Sequence, residues 1–215
     1  MFNYLQQTYE GSVHMTNKNV AIKPMFLALG LSLLLAVFIV TSTTHAVSTS
    51  VNSTISSVIS LFTSSGTVAV NATPTASGVQ TVNNDVVTVS TNDSSGYTLK
   101  LGETGAGTTL VSGGNSIPAT AGTYGTPIAE VANTWGYRVD GLGTFGSGPT
   151  SATSNLAIGT AKFAAVPATG SPDTIKTTSS TASSDTTSVW YGVAVNTSTP
   201  SGAYTNSVTY TATAN

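Results

Sequence analysis

Glu103 and Glu130 are the residues in this sequence best suited to chemistry. Two carboxyls flanking a glycosidic bond serve as acid and base, or acid and nucleophile, in glycoside hydrolysis. Both lie in or beside a Gly- and Thr-rich stretch, residues 102–129, and there the plainer expectation is solvated loop charge. Other chemistries lack their parts. Cys is absent, and both histidines, His14 and His45, precede residue 47. Residues 47–215 therefore cannot assemble a Ser–His–Asp or Cys–His nucleophile, nor a zinc site of the common kinds. No Ser stands three residues before Lys100, Lys162 or Lys176, so the Ser-x-x-Lys arrangement is missing. Asp85, Asp93 and Asp140 do not follow the Asp-x-Asp-x-Asp-Gly calcium spacing. A Lys–Asn isopeptide staple needs a buried Lys, whereas Lys100 alternates with apolar neighbours and is expected outside. The expectation is a protein without catalytic residue, cofactor or metal.

Two aromatic clusters remain, Trp135-Gly136-Tyr137 and Trp190-Tyr191. Neighbours along a strand point to opposite faces. If Tyr191 faces the core, Trp190 faces outward, free to stack on a sugar ring or to enter a partner chain. The alternative is a Trp190 covered by the Ser/Thr-rich residues 168–188. Trp135 and Tyr137 are expected in the core. Asn-x-Ser/Thr occurs at Asn52, Asn71, Asn92 and Asn196, matches that chance supplies in so Ser/Thr-rich a chain.

The elements that must position these residues read as strands. Charged residues make up 7% of the chain, against ~25% in an ordinary soluble domain. The 40% hydrophobic content and the β-branched runs argue for pleated sheet rather than disorder. No cluster of Lys and Arg is dense enough to hold nucleic acid. "SSGYTLKLG" (94–102) sets Tyr97, Leu99 and Leu101 on one face and Lys100 on the other. "DVVTVST" (85–91) precedes it across Asn92–Gly96, so 85–101 reads as a hairpin. Further strands are expected at Ile59–Phe62, Thr67–Ala72, Thr108–Val111, 133–141 and 161–167. In 133–141, Trp135, Tyr137 and Val139 face inward, and Arg138 and Asp140 outward. In 188–196, Val189, Tyr191, Val193 and Val195 share a face; after a turn at 197–202, Val208, Tyr210 and Ala212 lie opposite. Residues 168–188 read as a long loop. These short strands predict an all-β chain, a single antiparallel β-sandwich of Ig-like or Greek-key type.

Residues 1–46 are different. Lys18 and Lys23 precede an apolar run, 24–40, and Thr44-His45-Ala46 is a small-x-small exit, the pattern of a secretory signal cut after Ala46. An uncleaved anchor is the alternative, and membrane contact would then run through this segment alone. Met15 is an alternative start. Residues 47–60 form a flexible lead or an edge strand, and 61–215 the β domain. "TVAVNATPTASG", "VTVSTNDSSGYTLKL", "NTWGYRVD" and "VAVNTSTPSGAYTNSVTYTATAN" resemble exported Thr/Ser-rich β-sandwich surface proteins of Gram-positive and Saccharibacteria-like bacteria, reminiscent of WxL-type surface domains. No Leu-Pro-x-Thr-Gly signal and no full WxL motif occurs among the 215 residues. The resemblance implies display on the envelope, adhesion, or assembly into a fibre or coat. The expected function is that of a secreted, non-enzymatic, cell-surface structural or adhesive protein. Its partner would be protein, either itself or an envelope or host surface. Val51, Ile55, Val58 and Ile59 would then be donor-strand residues. The alternative is a carbohydrate-binding module with Trp190 as its platform.

Overall fold

The computed structural model describes residues 47–105 and 107–215. The expected signal helix falls in 1–46, outside the described residues. Twelve strands follow in chain order: β1 (Ile59–Thr63), β2 (Val79–Thr91), β3 (Tyr97–Glu103), β4 (Leu110–Ser112), β5 (Asn115–Ile117), β6 (Ile128–Ala129), β7 (Thr134–Val139), β8 (Thr153–Leu156), β9 (Lys162–Phe163), β10 (Asp173–Thr177), β11 (Ala182–Val195) and β12 (Val208–Ala214). The described residues are all-β, every ladder is antiparallel, and no helix occurs among them.

The larger sheet runs β1-β2-β11-β7, with β8 also paired to β2. The smaller runs β10-β3-β12, and β4-β5 and β6-β9 form two-stranded pieces. Odd positions of β2 and β11 face one shared core. Val87, Val89, Val189 and Val193 of the larger sheet pack in one cluster with Leu99, Leu101 and Ile175 of the smaller. Tyr97, Leu99 and Leu101 are buried and Lys100 is exposed, as alternation predicts.

Three hydrogen bonds of tyrosine hydroxyls tie the sheets together in a chain without disulfides. Tyr97 of β3 donates to Asp185 Oδ2 of β11 at 2.8 Å. Tyr137 of β7 donates to Asp173 Oδ2 of β10 at 2.6 Å. The hydroxyls of Tyr191 in β11 and Tyr210 in β12 lie 2.7 Å apart. A buried phenol needs a partner for its polar tip, and here each finds it on the opposite sheet.

Several expected connections differ. β2 and β3 do not pair, so 85–101 is not a hairpin: the Asn92–Gly96 turn carries the chain from one sheet to the other. Both edges of β2 are already taken, by β11 on one side and by β1 and β8 on the other. Gly96 makes the turn at φ +83°, against the backbone of Thr178. β11 and β12 likewise belong to different sheets. Residues 67–72 are extended and turn Val68, Val70 and Ala72 towards the core, yet they form no ladder. The stretch expected as a 168–188 loop holds β10 and the start of β11, and its one large apolar residue, Ile175, is buried. The second face of the larger sheet is covered too. Val82, Ala161 and Phe163 form a small cluster there, joined by Leu156.

Candidate binding cleft

A cleft of about 890 Å³ opens beside the core. One wall is the unpaired stretch through Val68, Val70 and Ala72; the other is residues 199–208, leading into β12. Trp135, Tyr191, Val193 and Val195 line it between these walls, with Leu110 and Ile117 from β4 and β5. Apolar side chains stand on alternate positions, Val68, Val70 and Ala72, along the first wall; the second is rich in Ser, Thr and Asn. β12 bonds to β3 along one edge and has no second ladder partner among the described residues. The one charged lining residue, Asp85, is itself buried. The Ser64 hydroxyl donates to Asp85 Oδ1 at 2.8 Å and the Ser65 backbone N–H at 3.2 Å. Burial raises the Tyr191 hydroxyl well above the ordinary phenol range, and the charges of Tyr210 and Asp85 add to this. Burial also raises Tyr210, against the pull of its bond to Tyr191. Both phenols therefore stay protonated at neutral pH. The cleft offers apolar contact and strand edges rather than an acid–base pair.

The two glutamates expected as solvated loop charge are both buried. Glu103 ends β3 and accepts from Asn206 Nδ2 at 3.1 Å. Burial pushes it up to about 7, against the pull of that bond. Glu130 follows β6 and accepts from Gln80 Nε2. Burial pushes it up to about 8, again opposed by its hydrogen bond. They hang on different partners, Asn206 and Gln80, and do not flank one site. Among the described residues no three His, Cys, Asp or Glu side chains converge as metal ligands. The Gly-rich composition of 102–129 suggested exposure; what it concealed is that Glu103, at the end of β3, and Glu130, just after β6, are enclosed by other segments.

Trp190 faces away from the core cluster, as alternation places it, but it is only 3% exposed. Its indole N–H donates to Asp140 Oδ2 at 2.6 Å, so Asp140 holds it. It cannot offer a ring face to a sugar. Its register partner on β7, Arg138, was expected outside and is buried too. Arg138 Nη2 reaches Gly146 O at 3.1 Å and Asp140 Oδ1 at 3.4 Å. Lys162 is exposed, and Lys100 with it.

The expected donor residues divide. Val51, Ile55 and Val58 precede any strand and are 90%, 84% and 65% exposed. Ile59 already belongs to β1 and packs against the core cluster. The cleft itself went unrecognised in the sequence, because its walls are brought together from residues 65–72 and 199–208. The sole sequence signal was the alternation of Val68, Val70 and Ala72 without a neighbouring partner strand. No protein-family model, curated protein or solved structure matches this chain. The described residues form an antiparallel all-β fold with a cleft lined, apart from Asp85, by apolar and uncharged polar side chains.

Proposed function

We propose that this chain is an exported, non-enzymatic protein of the cell surface, structural or adhesive in role, folded as a single Ig-like or Greek-key sandwich behind its secretory segment. The carrying observation is the make-up of the cleft: apolar side chains and unpaired strand edges, with one carboxylate already engaged by Ser64 and Ser65. Such a surface recognises another polypeptide by backbone pairing and alternate side chains. The shared core of the two main sheets supports the sandwich. The strand-and-turn resemblance to exported bacterial surface proteins supports the location. The glycan-binding reading has lost its platform, since Trp190 is enclosed.

Antibody labelling and protease shaving of intact producing cells test the proposal. The expected result is labelling without permeabilisation and loss of the protein on shaving. Retention inside the cell would overturn it. Turnover of a glycoside that disappears in the doubly substituted Glu103→Gln, Glu130→Gln protein would overturn its non-enzymatic part.

A further inference from the structure

We propose that the cleft receives residues 47–55 of a second copy, which enter as an added β-strand and link the chains head to tail. This rests on the structural-subunit reading and names its partner. The donor carries the matching pattern. Val47, Val51 and Ile55 are separated by Thr49 and Ser53, so an extended chain puts all three apolar side chains on one face. Ser48, Ser50, Asn52 and Thr54 fill the other face. No charge occurs from Val47 to Asn84, so no ionic group would be buried on docking. A row of side chains as exposed as Val51 and Ile55 marks an interaction site.

The Val193–Val195 end of the chain's own cleft is out of this segment's reach. Its root is fixed at the Thr91 end of β2. Asn92 Nδ2 donates to Ser56 O, Val58 N–H donates to Asn92 Oδ1, and the Thr91 hydroxyl donates to Val58 O. Cleft residues Val193 and Val195 pair with Thr81 and Val79, at the opposite end of β2. The thirteen residues of β2 span roughly 40 Å. Residues 47–55 reach about 30 Å when fully extended. β1 runs from Ile59 opposite Thr91 to Thr63 opposite Val87, so the start of β1 lies at the end of β2 away from Val193 and Val195. A neighbour's segment meets neither limit. It would give its backbone hydrogen bonds to the open edge of β12 and place Val51 and Ile55 against Val193, Val195 and Val208.

The absence of cysteine allows a direct test. Full-length exported protein is prepared as Ile55→Cys and, separately with a mass tag, as Val208→Cys; the two are mixed under mild oxidation. The expected product is a covalent dimer whose peptide map shows a 55–208 disulfide, and a ladder of oligomers from the doubly substituted chain. Adding Val51→Asp lowers the cross-linked product at least tenfold and leaves the urea midpoint unchanged, because Val51 is 90% exposed in the free chain. Closure within single chains, or no 55–208 linkage, would overturn the proposal. The surface labelling described above is read in the same cysteine proteins without Val51→Asp: labelling without cross-linking sinks strand addition alone, whereas loss of labelling from the unsubstituted protein sinks the surface reading.

Discussion

Glu130 is a carboxyl with one amide donor and no water-facing side, and it holds its proton to about pH 8. The unfolded chain releases that proton near 4.5, the ordinary value. The group's contribution to stability is therefore complete below about 4.5 and is lost progressively as pH rises to about 8. Glu103, raised to about 7, acts with the same sign. Asp185 acts oppositely. Burial pushes it up, but the hydrogen bonds from Lys176 at 2.6 Å and from Tyr97 hold it below the usual carboxylate range. Its contribution is present at neutral pH and is lost as pH falls through that lowered value. Urea midpoints of the wild-type protein should decline between pH 5 and 8.5, and Glu130→Gln should flatten the decline. One group changes stability by at most about 1.4 kcal/mol per pH unit. An unchanged slope in the variant would show that Glu130 is ionised when folded. A second residue-scale prediction concerns Tyr137→Phe. It removes the 2.6 Å bond and leaves the Asp173 carboxyl short of a donor. The expected loss is about 1–3 kcal/mol in urea unfolding.

Among the elements, the covering of the larger sheet's second face turns on two glycines. Gly136 of β7 and Gly192 of β11 are register partners, and Val82 stands opposite Gly192 on β2. A Cβ at Gly192 would come within 2.7 Å of the Phe163 ring and 2.9 Å of Glu130 Oε2. A Cβ at Gly136 would meet Ala164 O at 2.6 Å and Phe163 Cβ at 3.1 Å. The two positions leave a furrow in the sheet that Phe163 fills. Gly192→Ala should cost roughly 1–3 kcal/mol, the usual penalty for overfilling a packed site. Adding Phe163→Leu should recover part of that loss in a double-mutant cycle. Strict additivity would mean that ring and glycine are not coupled.

For the molecule as a whole, residues Asn52–Asn215 form one compact unit whose two main sheets share a core. Its strands find partners far along the chain: Val79 pairs with Val195, and Tyr97 with Ala214. Urea unfolding followed by tryptophan fluorescence and by far-UV circular dichroism should give coincident transitions. Refolding should occupy milliseconds to seconds, because distant strands must close long loops before their contacts form. Non-coincident transitions would show that the sheets unfold separately.

The period-two alternation of apolar residues determined, from sequence alone, that the described residues are all-β and that Tyr97, Leu99, Leu101, Trp135 and Tyr137 are core. That pattern is local, set by the pleat of each strand. Alternation says nothing of which strand lies alongside, so 85–101 read as a hairpin although β2 and β3 join different sheets. It assigns a face without saying whether that face is covered, and for this reason Arg138 and the two glutamates were expected in water and the covering of Trp190 was left open. Tertiary structure alone decided these matters, together with the cleft between residues 65–72 and 199–208. Pairing and burial depend on backbone and surface supplied by segments remote in the chain, and no stretch of sequence carries its neighbour's contribution.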